Sequence, residues 1–167
     1  MAAQDAVRVA LLGCGTVGTE VARLLLTHSE ELAARVGAPV RLVGIAERSF
    51  DVPRDPVIPL DLITTDAAEL MARSVIVIEL IGGVEPARTL LLAAFEAGAS
   101  VVTANKQVIA KHGAELMATA RDHGAELRFE GSVAGGIPVL RAIEDGLSAD
   151  SLVRVAGVVN GTSTHIL

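Results

Sequence analysis

The chain has 167 residues, of which 51% are hydrophobic, so it is long enough to bury the core of one domain. Its net charge of −6 and its aromatic content of 2% argue against a nucleic-acid partner, because such proteins present basic surfaces and aromatic stacking platforms. A single cysteine excludes an internal disulfide, and neither a secretory signal nor an apolar run of about 18 residues is visible, so we expect a soluble cytoplasmic protein with no membrane partner.

Strands and helices alternate along the chain. The apolar patterns predict strands at Val7–Leu12, Val40–Ala46, 75–78, Ser100–Thr103, 127–129 and 152–159. They predict helices at 16–26, 67–73, 86–97, 106–123 and 138–147, and in one alternative the first helix continues through 30–35. A proline-rich loop is predicted at 50–61, between the second strand and the second helix. This order predicts an α/β fold, a doubly wound (Rossmann-type) parallel sheet with helices on both faces. A core of Val, Leu, Ile and Ala suits such a sheet.

A glycine-rich loop lies between the first predicted strand and the first predicted helix. Its residues are Gly13-Cys14-Gly15-Thr16-Val17-Gly18, the GxGxxG pattern of dinucleotide-binding loops. Gly13 permits a tight turn, Gly15 lets a pyrophosphate approach the backbone, and Gly18 lets the helix pack closely on the strand. The free N–H groups of the helix N-terminus then attract the phosphates. An ordinary strand-to-helix turn is the alternative, but the flanking strand and helix favour dinucleotide binding.

Small or polar residues also follow the other predicted strands, where ligands bind in doubly wound sheets. Glu47, Arg48 and Ser49 follow the second strand and give conflicting signals about the cofactor. An acid at this position accepts hydrogen bonds from ribose hydroxyls and favours NAD(H), whereas an arginine favours the 2′-phosphate of NADP(H). We expect NADP(H), with Arg48 on the phosphate and Ser49 as a possible donor, while NAD(H) stays open. A solvated surface ion pair is the alternative for Glu47 and Arg48.

Lys106 is predicted in the first turn of its helix, after Asn105 as the helix cap. A cation at a helix N-terminus opposes the helix dipole, so helix propensity alone does not explain it. The functional interpretation places the ammonium group beside the nicotinamide and the substrate oxygen, where it would stabilise a developing alkoxide or position the reactants. A solvated lysine is the alternative.

Together these strand-end segments resemble homoserine dehydrogenase. The matching segments are distributed over nearly the whole chain, at residues 13–18, 79–83, 101–106, 130–138 and 158–162. The Thr-Ala-Asn-Lys and Val-Ala-Gly-Gly-Ile-Pro sequences within them are far more specific than the glycine loop. The resemblance implies an NAD(P)-dependent oxidoreductase that interconverts L-homoserine and L-aspartate 4-semialdehyde, a step toward threonine and methionine.

The resemblance also implies site residues. The cofactor would be lined by Gly13, Gly15, Thr16, Val17, Gly18, Arg48, Gly82 and Lys106. Lys106 is also the expected catalytic residue, on the functional interpretation given above. A monovalent cation such as sodium would lie on the segment that contains Glu130, Val133, Gly135 and Ile137, held mostly by backbone carbonyl groups. A turn that leads into a helix is the alternative for residues 135–138.

Two regions follow from the resemblance, an NAD(P)-binding domain at 1–135 and the start of a substrate and dimerisation region at 136–167. In the family this second region supplies acidic substrate-binding residues and a second lysine. We therefore expect the chain to be the cofactor-binding part of a homo-oligomeric enzyme and to turn over its small-molecule substrate negligibly alone. Thr164-His165 stands where the family commonly has Asn-Tyr. A non-catalytic NAD(P)-binding regulatory module is the alternative function.

Overall fold

The computed structural model describes residues 5–49 and 55–157. The strands in these ranges are β1 (Val7–Leu12), β2 (Val40–Ala46), β3 (Ile63–Thr64), β4 (Ile76–Glu79), β5 (Ser100–Thr103) and β6 (Leu127–Arg128). The helices are α1 (Thr16–Thr27), α2 (Ser29–Val36), α3 (Ala67–Ala72), α4 (Ala87–Glu96), α5 (Lys106–Asp122) and α6 (Val139–Gly146), with single 3-10 turns at Leu60–Leu62 and Glu130–Ser132.

The six strands form one sheet in the order β3-β2-β1-β4-β5-β6, and every neighbouring pair is parallel. The chain runs outward from β1 to β3 and then returns to β4 on the other side of β1. A crevice forms in such sheets outside the carboxyl ends of the strands at which the order reverses, here β1 and β4. The structure confirms the doubly wound parallel sheet.

Apolar side chains of the strands alternate between two cores, one on each face of the sheet. Ala10 and Leu12 of β1 pack in the core under α3, α4 and α5, whereas Leu11 between them packs in the core under α1. Phe95 of α4 is fully buried in the larger core. Helices therefore cover both faces, as the sequence predicts, and the central strands are buried on both sides.

Most predicted elements agree with the observed ones to about one residue at each end. The first predicted helix, however, does not continue unbroken through 30–35. His28 leaves helical geometry (φ −113°, ψ 27°), so α1 ends before it and α2 begins after it. The Thr27 hydroxyl donates to the Arg23 carbonyl oxygen at 2.8 Å, and Glu30 and Glu31 in the first turn favour a new helix start.

Two strands differ from the prediction. β3 has no counterpart among the predicted elements. It consists of only two residues, which pair with Ile45 and Ala46 of β2, and two residues are too few to show the hydrophobic pattern of a strand. The predicted strand at 152–159 is wrong for residues 152–157, which have no regular structure and are all exposed. Their apolar residues have no strand to pair with in the described ranges, and Val153 is 97% exposed. Residues 158–159 lie outside the described part.

Within the described ranges, no helix combines the length and the apolar character that a membrane crossing requires.

Candidate functional site

A cleft of about 570 Å³ opens at the carboxyl ends of β1, β2 and β4, where the order of the sheet reverses. Its walls come from the glycine loop, from the end of β2 and from the segment after β4. The lining residues are Leu12, Gly13, Cys14, Gly15, Ala46, Glu47, Arg48, Thr65, Ala67, Leu80, Ile81, Gly82, Pro86 and Leu90. Both the size and the position are those of a ligand site in an α/β sheet.

The glycine loop has the backbone geometry that its sequence predicts. Gly13 adopts a left-handed conformation (φ +96°), and its N–H donates to the Ala46 carbonyl oxygen at 3.0 Å. A Cβ on Gly15 would meet no atom within 4 Å, so the space beside this residue is open. A Cβ on Gly18 would lie 3.0 Å from the Gly13 carbonyl carbon and closer still to its oxygen. Gly15 therefore faces free space, whereas Gly18 lets α1 pack against the loop.

The N-terminus of α1 is a good anion site. Gly15 is the cap residue, no side chain caps the first turn, and no acidic residue lies in that turn. The first N–H groups of the helix consequently have no intrahelical acceptor and carry the positive end of the helix dipole. Thr16 and Val17 in this turn are exposed. The arrangement can bind a phosphate without any charged side chain.

Glu47 ties the glycine loop to the end of β2. Its Oε1 accepts a hydrogen bond from the Cys14 backbone N–H, and its own N–H donates to the Thr64 carbonyl oxygen of β3 at 2.9 Å. Arg48 beside it is exposed on the cleft wall. β3, which sequence reasoning missed, therefore helps to fix Glu47 at the end of β2.

A buried polar cluster, formed by Glu79, Thr103 and Asn105, lies behind the third wall of the cleft. The Glu79 carboxylate accepts hydrogen bonds from the backbone N–H groups of Ile81 at 2.8 Å and Gly82 at 3.2 Å. The Thr103 hydroxyl donates to the other carboxylate oxygen at 2.6 Å. Sequence reasoning placed Glu79 and Thr103 at strand ends and Asn105 at a helix cap, but it did not bring the three side chains together. The signal that could have found the cluster is an acidic residue inside an apolar strand.

Lys106 is the first residue of α5 and is exposed. The preceding Asn105 caps the helix, with its Oδ1 accepting from the N–H groups of Gln107 and Val108 at 3.2 Å each. The Asn105 side-chain amide donates to the Gly83 carbonyl oxygen at 2.6 Å. This bond connects the start of α5 to the segment that lines the cleft, although Lys106 itself does not line it.

The segment predicted to hold a cation lies at the end of β6. The Glu130 carboxylate accepts from the N–H groups of Leu140 at 2.9 Å and Arg141 at 3.0 Å, so it caps α6. The carbonyl oxygen of Glu130 accepts from Val133 N–H at 3.0 Å, and that of Ile137 from Val139 N–H at 2.8 Å. Each carbonyl keeps a second lone pair. No group of three or more His, Cys, Asp or Glu side chains with metal-site spacing occurs in residues 5–49 and 55–157.

The structure thus brings four of the predicted residues into one cleft, namely Gly13, Gly15, Arg48 and Gly82. Thr16 and Val17 flank it in the first turn of α1, and Gly18 is buried beneath the loop. Lys106 begins the helix after the neighbouring strand β5. The predicted cation residues are separate from the cleft and lie beyond β5.

Two partly exposed ion pairs hold elements around the sheet. The pKa of the Asp55 carboxyl is lowered by a hydrogen bond from Val57 N–H and by the Arg23 guanidinium of α1, 2.7 Å away. The pKa of the Glu115 carboxyl of α5 is lowered by its hydrogen bonds with Arg88 of α4, one of them 2.8 Å long. These pairs contribute to the stability of the fold, and none of their residues lines the cleft.

Comparison with known proteins gives consistent results. The family model described as the NAD binding domain of homoserine dehydrogenase matches residues 13–130. The homoserine dehydrogenase of Corynebacterium glutamicum is 48% identical over 98% of this chain and 37% of its own length, and that of Mycobacterium tuberculosis is 48% identical over 96% and 36%. A crystal structure of a homoserine dehydrogenase from Thiobacillus denitrificans superposes with a TM-score of 0.77 and 41% identity, covering 87% of this chain and 34% of that one. The chain therefore spans about a third of the length of these relatives.

Proposed function

Because the chain belongs to the homoserine dehydrogenase family, we propose that it provides the cofactor-binding part of an NAD(P)-dependent oxidoreductase that interconverts L-homoserine and L-aspartate 4-semialdehyde. The main support for the proposal is the cleft between β1 and β4, where the strand order of the sheet reverses. This cleft is bordered by the glycine loop and by the N-terminus of α1, which no side chain caps. The open space beside Gly15 fits a pyrophosphate, since any larger residue would fill it.

The order of the strands supports one direction for the bound dinucleotide. β2, β1, β4 and β5 are consecutive in the sheet, so Arg48, the glycine loop, Gly82 and Lys106 follow one another along its carboxyl edge. We place the adenosine half beside β2, the pyrophosphate at the glycine loop and the nicotinamide half toward Gly82 and Lys106.

We favour NADP(H) as the cofactor. Arg48 is exposed on the cleft wall, where its guanidinium can bind the 2′-phosphate in a bidentate manner, and Ser49 is a further donor nearby in sequence. One oxygen of Glu47 already accepts the N–H of Cys14, so less of this carboxylate is available to ribose hydroxyls. Among these residues, Arg48 contributes most to the proposed preference for NADP(H) over NAD(H).

Lys106 acts on the substrate oxygen in this account. Its ammonium group would stabilise negative charge that develops on the oxygen when the aldehyde is reduced, and would orient that oxygen. A bound nicotinamide supplies the hydride chemistry. Asn105 fixes the first turn of α5 and so holds the lysine backbone at the edge of the site.

We further propose that the carbonyl groups of Glu130, Val133, Gly135 and Ile137 bind a monovalent cation such as sodium. The left-handed residues Ala134 (φ +54°) and Gly135 (φ +64°) turn the backbone sharply there, which supports a carbonyl-lined loop.

Residues 1–135 form the cofactor-binding domain in this proposal, and residues from 136 begin a substrate and dimerisation region of a homo-oligomer. The end of the family match at residue 130 supports this division. So does the burial pattern, since no residue from 133 to 157 is buried and Ile137 is 63% exposed.

A fused polypeptide tests the proposed reaction. Residues 1–157 would be joined to the corresponding downstream region of the Corynebacterium glutamicum relative, and NADPH-dependent reduction of L-aspartate 4-semialdehyde would be followed. We expect turnover, and we expect Lys106→Met to lower kcat by about 100-fold or more while the Kd for NADPH rises by no more than about tenfold, because the ammonium contacts the nicotinamide but acts mainly on the reacting oxygen. Lys111→Met, which changes another exposed lysine of α5, is the control and should retain the activity. NADPH binding without turnover in the fused protein would support a regulatory module instead.

A further inference from the structure

Glu79 is a fully buried acidic residue in a strand that is otherwise apolar. All of its hydrogen-bond partners are neutral donors: the N–H groups of Ile81 and Gly82, the Thr103 hydroxyl, and the Asn105 amide at 3.4 Å. In the described part of the chain no lysine, arginine or histidine pairs with it. Burying a carboxylate costs free energy, and apolar residues would fill the same space without that cost. The position therefore requires an acceptor that satisfies several donors at once.

The donors belong to three different segments. Ile81 and Gly82 line the cleft, Thr103 ends β5, and Asn105 caps α5 while its amide also reaches the Gly83 carbonyl oxygen at 2.6 Å. Thr103 is itself tied to the cap, because its hydroxyl oxygen accepts the Asn105 N–H at 3.0 Å. One carboxylate thus connects the cleft wall after β4 with the helix that begins at Lys106.

The segment that Glu79 holds has little rigidity of its own. Gly82 and Gly83 both adopt left-handed conformations (φ +80° and +74°), and an added Cβ at Gly82 would meet no atom within 4 Å. Glycines populate many backbone conformations in the absence of other constraints. The two hydrogen bonds from Ile81 and Gly82 to Glu79 consequently select one shape of this wall.

We propose that Glu79 is a positioning residue for the nicotinamide half of the site. It fixes the 81–83 segment and the first turn of α5 relative to each other, so that the nicotinamide is held between the backbone at Gly82 and the Lys106 ammonium. The inference rests on the proposed function, because it takes the nicotinamide half to bind at β4 and β5. The adenosine half at β2 lies on the other side of β1 and does not depend on Glu79.

The test compares the whole dinucleotide with its adenosine half. Calorimetric titration of the chain with NADPH and with 2′,5′-ADP, which lacks the nicotinamide half, would be done for Glu79→Ala, Glu79→Gln, Thr103→Val and Thr103→Ser. Glu79→Gln keeps the shape and one acceptor oxygen, and Thr103→Ser keeps the hydroxyl, so these two variants are the matched controls.

We expect Glu79→Ala and Thr103→Val to weaken NADPH binding by about tenfold or more and to leave 2′,5′-ADP binding within about twofold. The two controls should recover most of the NADPH affinity. If Glu79→Ala does not fold, the Thr103 pair decides the question. An equal loss for both ligands, or no loss for either, would overturn the inference, since a merely structural role does not separate them. Absence of NADPH binding to the unmodified chain would overturn the proposed function and this inference with it.

Discussion

Two glycines of the same loop should respond to alanine in opposite ways. Gly15 has an ordinary backbone conformation (φ −73°) and open space where a Cβ would stand. Gly15→Ala should therefore change the free energy of unfolding by less than about 1 kcal/mol, because the loss of a good cap residue and the smaller entropy of the unfolded chain oppose each other. The methyl group would, however, occupy the path of the pyrophosphate, and we expect the Kd for NADPH to rise about 10- to 100-fold, or about 1.4–2.7 kcal/mol.

Gly18→Ala is the counterpart. Its Cβ would lie 3.0 Å from the Gly13 carbonyl carbon and closer to its oxygen, both backbone atoms that cannot rotate away. The loop or α1 must shift, which costs about 1–3 kcal/mol of stability. For a chain of this size that corresponds to a fall in Tm of about 2–4 °C per kcal/mol.

Thermal unfolding followed by circular dichroism and calorimetric titration with NADPH would measure both effects on the same preparations. A Gly15→Ala variant that binds NADPH as tightly as the unmodified chain would refute the placement of the pyrophosphate. A Gly18→Ala variant with an unchanged Tm would refute the described packing of α1 on the loop.

Three further predictions concern the adenosine end, the carboxyl groups and the cation. Arg48→Ala should weaken NADPH binding by about tenfold and leave NADH binding within about twofold. If the ratio of the two Kd values does not change, Arg48 does not bind the 2′-phosphate. Asp55 and Glu115 have lowered pKa values in the folded chain, so their stabilising contribution is present above about pH 4 and is lost as the pH falls further. Asp55→Asn and Glu115→Gln should therefore reduce the fall in Tm between about pH 5 and pH 3. Curves of Tm against pH that run parallel to that of the unmodified chain would contradict this prediction. Sodium chloride should raise the Tm by about 2–4 °C over choline chloride of equal ionic strength if the carbonyl groups of residues 130–137 bind the ion, and identical curves would exclude that site.

The sequence was sufficient for the sheet and the glycine loop because both depend on local patterns. The run Val7–Leu12, the loop after it and the apolar spacing of α1 lie next to one another in the chain, and short-range sterics determine their conformation. Arg48 and Gly82 were predictable for a related reason: parallel strands bring their carboxyl ends to one edge, so strand-end residues meet in a doubly wound sheet.

Features that depend on tertiary pairing were not predictable in this way. β3 consists of two residues that become a strand only because the end of β2 offers free hydrogen-bonding groups. Residues 152–157 are rich in apolar, β-branched residues, as strands are, but find no partner in the described structure. The contacts of Glu79 with Thr103 and Asn105 span 24 and 26 residues of sequence, and periodicity gives no information on such pairs.

The most direct test of the account is to map NADPH binding on the chain by the chemical shifts of its backbone amides. We predict saturable shifts at residues 13–18, 47–48 and 80–83 and at the start of α5, because these segments border the cleft or the neighbouring strand end. The amides of α2, at the far end of the β1–β2 connection, should not change. Absence of saturable shifts, or shifts confined to the separate cavity between Leu127 and Asp145, would contradict the assignment of the cleft as the cofactor site.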